Sequence, residues 1–192
     1  MSDKKNILIL GAGYGGVHVA KKLAKKYKKN NNVEITLIDK NPFHTLMTEL
    51  HEVAGGRVHP ESVQIELSKI FARTKVNVVT DLIEKVDTDN KTVKTTNGNY
   101  TYDYLVVGTG SEPAFFGVPG VKENGFTLWS FEDAMKIRHH VQKMFKLAAK
   151  ERNEAKRREM LTFVEKEIVV TGSFGDIQEN ETYRFYGEFV QW

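Results

Sequence analysis

The sequence predicts an α/β fold built on a parallel sheet, and three features predict it. Residues 7–10 (ILIL) are an apolar run, short enough for a buried strand, that breaks directly into a glycine-rich turn. The next stretch places Val17, Ala20, Leu23, Ala24 and Tyr27 at helical spacing, with lysines on the opposite face. A polar break, Asn30-Asn31-Asn32, leads into a second apolar run at residues 33–38. Strand, turn, helix and strand in that order make a crossover unit whose two strands lie parallel.

The turn is Gly11-Ala12-Gly13-Tyr14-Gly15-Gly16, a G-x-G-x-x-G. Gly11 permits the tight turn, Gly13 lets the backbone approach a pyrophosphate, and Gly16 lets helix and strand pack closely. The first N–H groups and the positive dipole end of the helix then face the phosphates. Asp39 closes the second strand roughly 20 residues beyond the glycines, where an acid accepts hydrogen bonds from a ribose hydroxyl. The set describes a Rossmann-like dinucleotide site. A carboxylate at Asp39 suits NAD or FAD and disfavours NADP, whose extra phosphate would meet like charge. It does not separate NAD from FAD.

After Asp39, Asn41-Pro42 breaks the strand, and residues 46–54 read as a short helix ended by Gly55-Gly56. This segment mixes Phe43, His44, Thr45, Thr48, Glu49 and His51 with apolar residues. It reads equally as a capped connector or as a wall against the redox ring of a cofactor. Residues 63–72 predict a helix burying Ile65, Leu67, Ile70 and Phe71, and residues 75–80 a third parallel strand. Residues 81–86, 91–95 and 100–104 are short, alternating and separated by turn chemistry at Asp89-Asn90 and Asn97-Gly98, the pattern of an antiparallel β-meander inserted into the parallel fold. The chain returns through residues 102–107 as a buried strand ending in Gly108-Thr109-Gly110. Ligands sit at the carboxyl ends of strands in such sheets, so this second glycine turn belongs near the first.

Residues 111–120, with Pro113, Gly117 and Pro119, form a rigid loop, and residues 126–129 are extended. Ser130 followed by Asp133 approximates a capping box. The helix it starts is expected to run to about residue 160, striped by Ala134, Ile137, Val141, Phe145 and Ala148. Its far half is charged on nearly all sides and reads as a solvated end in preference to a membrane-surface patch. Residues 161–164 look like the start of another buried strand.

Composition narrows the chemistry. A chain of 192 residues, 40% hydrophobic and 28% charged, suits one soluble globular domain with room for an appendage. A net charge of +3 is too small to argue for nucleic acid. No eighteen-residue apolar stretch occurs, and the polar start runs straight into the first strand, so a cytoplasmic location is expected. Cysteine is absent, which excludes a dithiol relay or a thiolate nucleophile within this chain. His44, His51 and His59 lack a tight i, i+4 pair and His139-His140 point to different sides of a helix, so no metal site is expected.

Four segments together, NILILGAGYGG, ITLIDKNPFHTLMTELHEVAGG, YDYLVVGTGSEPAFFGVPG and GFTLWSFEDAMKIRHHV, resemble the type II NADH dehydrogenases, the non-proton-pumping NADH:quinone oxidoreductases, over residues 5–164. The resemblance implies a Rossmann-like FAD-binding domain. It implies that Gly11, Ala12, Gly13, Tyr14, Gly15 and Gly16 cradle the FAD pyrophosphate and that Asp39 and Lys40 meet the adenosine ribose. Ile83 would contact adenine through its backbone, Thr48 would lie by the flavin, and Thr109 and Gly110 would close over the cofactor. NADH is the family co-substrate and quinone its acceptor, at the cytoplasmic face of the membrane; a homodimer stays open.

The pattern departs from the family after residue 164. There the family enters a second glycine-rich turn that binds NADH, whereas here Gly172 is followed by no G-x-x-G. The segments the family uses for NADH, for quinone and for a membrane anchor are not found in the sequence. The expected division is therefore an incomplete FAD-binding domain over 1–164 and a β-rich, hairpin-like C-terminal tail over 165–192. Residues 167–190 resemble the N-terminal β-region of RecD-like helicases, which leaves a fusion, a rearrangement or an assembly error open. Nucleic-acid binding is not expected: about 25 residues cannot close such a barrel, and Glu179, Glu181 and Glu188 oppose a phosphate backbone. No residue receives a catalytic assignment. The reading is an FAD-binding oxidoreductase fragment with impaired activity; the alternative is a non-catalytic nucleotide-binding or interaction module, or a chimeric product.

Overall fold

The computed structural model describes residues 4–115, 117–166, 169–170, 183–184 and 189–191. Its elements begin β1 (Lys5–Leu10), α1 (Tyr14–Lys26), β2 (Val33–Asp39), β3 (Phe43–Thr45), α2 (Leu50–Ala54), β4 (Gln64–Glu66) and α3 (Leu67–Phe71). They continue with β5 (Val76–Thr80), β6 (Ile83–Asp87), β7 (Thr92–Thr95), β8 (Asn99–Thr101) and β9 (Tyr104–Val107). Then follow α4 (Val121–Asn124), β10 (Gly125–Thr127), α5 (Phe131–Ala148), α6 (Glu154–Met160), β11 (Val164–Lys166), β12 (Val169–Val170), β13 (Tyr183–Arg184) and β14 (Phe189–Gln191). Two units contain them: Met1–Leu46 with Gln64–Ser111, and Met47–Val63 with Glu112–Trp192.

The first unit is built on a parallel sheet of order β5-β2-β1-β9. β1 is apolar at consecutive positions because both of its faces are covered. Ile7 and Ile9 pack with Val17, Ala20 and Ala24 of α1 and with Leu67 and Phe71 of α3. Leu8 and Leu10 face the other way and, with Ile38, pack on Val93. Val93 belongs to the antiparallel sheet β6-β7-β8, the expected meander, which covers the face a second helical layer would otherwise take. The register pairs Leu10 with both Ile38 and Val107, and Asp39 with Thr80. The carboxyl ends of the strands therefore share one edge of the sheet.

In the second unit α2 lies against α5, burying Leu50, Val53, Ala134 and Ile137. Ser130 Oγ accepts from the Asp133 N–H at 3.1 Å and caps α5. β10 and β11 each pair antiparallel with β14, and β12 with β13, so strands do follow in the tail. The rest of residues 167–190 lies outside the described residues, and no comparison supports the helicase resemblance expected for it.

Five expectations are corrected. Residues 64–66 are a strand, not helix: β4 pairs antiparallel with β3, His44 opposite Ile65, and Ile65 is 39% exposed. A cross-strand partner distant in sequence satisfies that backbone, and the helix starts only at Leu67. The strand returning to the sheet is β9, which is shorter than expected and is not buried. It pairs with β1 alone among the described residues, leaving Tyr104 and Val107 61% and 65% exposed. The long helix to residue 160 is two helices, because Asn153 Oδ1 accepts from the Lys156 N–H at 3.1 Å and starts α6 afresh, and Phe145 lies exposed. The short helix over 46–54 is a 3-10 turn, Met47–Glu49, followed by α2. The strand expected over 161–164 begins only at Val164, as β11, and Leu161 and Phe163 before it are exposed.

Candidate functional site

The end of β1 and the end of β9 are two glycine turns packed on each other. The Gly11 N–H donates to the Ile38 carbonyl at 2.8 Å and the Gly108 N–H to the Leu10 carbonyl at 2.8 Å. Gly11 has φ +91°, and a Cβ there would lie 2.2 Å from the Gly108 oxygen. A Cβ on Gly16 would lie 1.8 Å from the Gly11 oxygen. Only hydrogen fits at either place, so strand, turn and helix approach as closely as backbones can. Thr109 is part of the same packing, its Cα 3.0 Å from that would-be Gly11 Cβ.

The other half of the turn faces outward. Gly11, Ala12 and Gly16 are buried, whereas Gly13, Tyr14 and Gly15 are exposed, with open space where a Cβ of Gly13 or Gly15 would stand. Gly13 begins α1 with no side-chain cap, and the first turn carries no acid. The positive end of the helix dipole is therefore not compensated by the helix's own start, and a bound anion is favoured there.

Asp39 stands beside this turn. Its Oδ2 accepts from the Ala12 N–H at 2.6 Å and its Oδ1 from the Asn41 N–H at 2.8 Å. A carboxylate has about four acceptor sites, so two bonds leave capacity for ribose hydroxyls. Lys40 follows it, exposed. On the neighbouring strand end, the Asp81 N–H donates to the Asp39 carbonyl at 2.8 Å. The buried Asp81 carboxyl is held below the usual carboxylate range, first by the Thr95 hydroxyl and then by N–H groups of Asn97 and Leu82, with desolvation opposing. Thr95 Oγ1 also lies 3.0 Å from the Gly98 carbonyl. This network fixes the crossing from β5 to β6, where Ile83 starts β6, half-buried on the Leu8–Leu10 face.

The structure thus brings Gly11 to Gly16, Asp39, Thr109 and the start of β6 to one edge of one unit. Gly110 follows Thr109, exposed, with φ +83°. Thr48 is not part of that unit; it lies exposed in the turn Met47–Glu49 of the second. The residue that sequence reasoning missed is His44, weighed only as a metal ligand or as part of a wall. It is 6% exposed, and its Nδ1 lies 2.8 Å from the Ala12 carbonyl. The Tyr14 ring meets it edge-on, centroids 4.9 Å apart. The available signal was a histidine five positions after the strand-ending acid, on a segment too polar for a plain connector. Among the described residues, no cluster of three His, Cys, Asp or Glu could hold a metal. No helix among them is long and apolar enough to cross a membrane.

Comparisons with known proteins agree with this geometry. Residues 5–173 match the family model described as pyridine nucleotide-disulphide oxidoreductase. A type II NADH:quinone oxidoreductase of Staphylococcus haemolyticus is 35% identical over 154 residues, covering 79% of this chain and 38% of that protein. The chain thus spans little over a third of the length of the curated relatives it matches. The sulfide:quinone oxidoreductase structure from Aquifex aeolicus superposes with a TM-score of 0.65 at 26% identity, over 74% of this chain and 32% of that one. The Plasmodium falciparum NDH2 structure, in complex with NADH, shares the fold with a TM-score of 0.68 at 20% identity, over 81% of this chain and 32% of that one. With the glycine turns, the strand-ending acid and the parallel sheet in the places such a match requires, the chain belongs to the pyridine nucleotide-disulphide oxidoreductase family.

Proposed function

We propose that residues 1–164 are the FAD-binding domain of an NADH:quinone oxidoreductase and that residues 165–192 are a β-rich tail foreign to that domain, although the family match runs on to residue 173. The observation that supports this most is the asymmetry of the glycine turn. Gly11 and Gly16 are packed where only hydrogen fits, while Gly13 and Gly15 face open space beside the Asp39 carboxylate. An adenine-linked pyrophosphate matches that combination of outward N–H groups, dipole and acid.

On this reading Gly11, Ala12, Gly13, Tyr14, Gly15 and Gly16 line the pyrophosphate, Asp39 and Lys40 meet the ribose, and Ile83 meets adenine. Thr109 and Gly110 close over the cofactor. Bound there, FAD supplies two-electron redox chemistry through its flavin ring. The chain's own residues bind and orient it, and no catalytic role is assigned among them. Hydride transfer further requires the nicotinamide of NADH held against the flavin. That task and quinone reduction, at the cytoplasmic face of a membrane, belong to the complete enzyme. Nucleic acid has no part in it.

The test is an absorbance spectrum of the purified chain followed by titration with FAD. Saturable flavin binding, competed by ADP, is expected, with little or no NADH oxidation when a soluble quinone is added. Colourless protein that gains no flavin absorbance at any FAD concentration would refute the reading.

A further inference from the structure

We propose that His44 is a positioning residue for the glycine turn: its buried imidazole orients the peptide between Ala12 and Gly13 so that the Gly13 N–H points outward. The inference rests on the cofactor reading above for its purpose, but not for its geometry.

A carbonyl oxygen can only accept a hydrogen bond, so the 2.8 Å contact from His44 Nδ1 to the Ala12 oxygen requires the proton on Nδ1. The Ala12 carbonyl and the Gly13 N–H belong to one planar unit, and that unit is trans. In a trans peptide C=O and N–H point in opposite directions. With the oxygen held inward by a histidine that is 6% exposed, the hydrogen on Gly13 is turned toward the exposed side of the loop. The preceding peptide is fixed in the same manner. Its N–H, on Ala12, donates to Asp39 Oδ2 at 2.6 Å, and its carbonyl, on Gly11, lies where a Gly16 Cβ would be. Two side chains from successive strands, Asp39 of β2 and His44 of β3, thus hold the two peptide planes that flank Ala12.

Gly13 explains why such a clamp is needed. Lacking a Cβ, glycine rotates between backbone states at little cost, so the Ala12–Gly13 plane could turn over and present its oxygen outward. An outward oxygen would repel a phosphate that an outward N–H attracts. The backbone of His44 is held by its cross-strand pairing with Ile65, and its imidazole meets the Tyr14 ring set at 90° to it. Tyr14 belongs to the same turn, so the clamp closes on the loop that it orients.

Two variants separate a donor from a filler. His44→Phe keeps an aromatic ring without the donor, and His44→Asn places an amide N–H near the Nδ1 position in a smaller side chain. Each is measured in the full chain by FAD titration and by backbone relaxation dispersion at Gly13 without ligand, which detects slow turning of the peptide. The expected result is an FAD affinity lowered about tenfold in His44→Phe, with exchange broadening at Gly13, and both largely restored in His44→Asn. FAD affinity unchanged in His44→Phe, or lowered equally in both variants, would overturn the proposal. Should the unaltered chain bind no flavin, the cofactor reading fails, and dispersion alone decides His44: a quiet Gly13 in His44→Phe overturns it. Should His44→Phe fail to fold, the ring nitrogen shifts of the unaltered protein decide. A proton on Nδ1 upholds the proposal, and the Nε2–H tautomer overturns it.

Discussion

Asp39, the last residue of β2, accepts a hydrogen bond at 2.6 Å from the backbone N–H of Ala12, inside the turn that follows β1. Ala12 is 2% exposed, so Asp39 takes the place of water at that donor. Asp39→Ala leaves it unsatisfied and is expected to cost about 1–3 kcal/mol of stability. On the proposed function it also removes the acceptor for ribose hydroxyls, so FAD binding is expected to weaken by roughly 10- to 100-fold. Asp39→Asn keeps one acceptor oxygen and should retain most of the stability. Denaturant unfolding and flavin titration of both variants check this.

Gly16 and Gly13 are expected to behave oppositely. A methyl at Gly16 meets backbone oxygen at 1.8 Å, where no side chain can give way. Gly16→Ala should destabilise by about 3 kcal/mol or leave the chain unfolded. A methyl at Gly13 meets nothing within 4 Å, and φ there is −68°. Gly13→Ala should melt within about 0.5 kcal/mol of the unaltered protein while losing FAD affinity, because the methyl would stand in the proposed phosphate approach. Thermal melts paired with flavin titration read both halves.

Acid stability is expected to depend on Asp103. Its carboxyl accepts from the Asn6 N–H at 2.8 Å and from Lys5 Nζ at 3.0 Å, tying the entry of β9 to β1. These bonds, the Asn6 N–H first, hold its pKa below the ordinary value. The folded state therefore binds this proton less readily than the unfolded one. The stabilisation is present above the unfolded pKa, about 3.9, and is lost as pH falls through the lower folded value. Asp103→Asn should flatten the fall of stability below about pH 4 while lowering stability at neutral pH. Unfolding curves at stepped pH measure this, and an unchanged acid slope would contradict it.

Ser130 is a single-atom prediction. Its Oγ satisfies the Asp133 N–H, while the Asp133 carboxylate turns to Thr127 Oγ1 at 2.8 Å, so the cap is not reciprocal. Ser130→Ala should cost about 1 kcal/mol, read as a lowered melting temperature of the second unit.

The parts of the fold legible in the sequence are those set by neighbours in the chain. Gly11 to Gly16, the helix stripe from Val17 to Ala24 and the acid at Asp39 all lie within one crossover, and local geometry alone dictates them. What stayed hidden depends on partners far away in sequence. β9 reads as a buried strand because Leu105-Val106-Val107 is apolar, yet apolarity does not reveal whether a second neighbour pairs with it. Residues 64–66 carry helical spacing and become a strand because Phe43–Thr45 offers a ladder. His44 was illegible for the same reason. Its role is a bond to Ala12, 32 positions earlier, and only folding brings the two together.

The pyrophosphate of FAD is proposed to bind at the start of α1, where Gly13, Tyr14 and Gly15 are exposed and the first N–H groups of the helix have no intrahelical partner. Backbone amide NMR of the chain during FAD titration tests it most directly. Large, saturable shifts are expected at Gly13, Tyr14, Gly15 and Gly16, followed by Asp39, with ADP alone reproducing them. Shifts confined to other segments, with the amides of residues 13–16 unmoved at saturation, would contradict it.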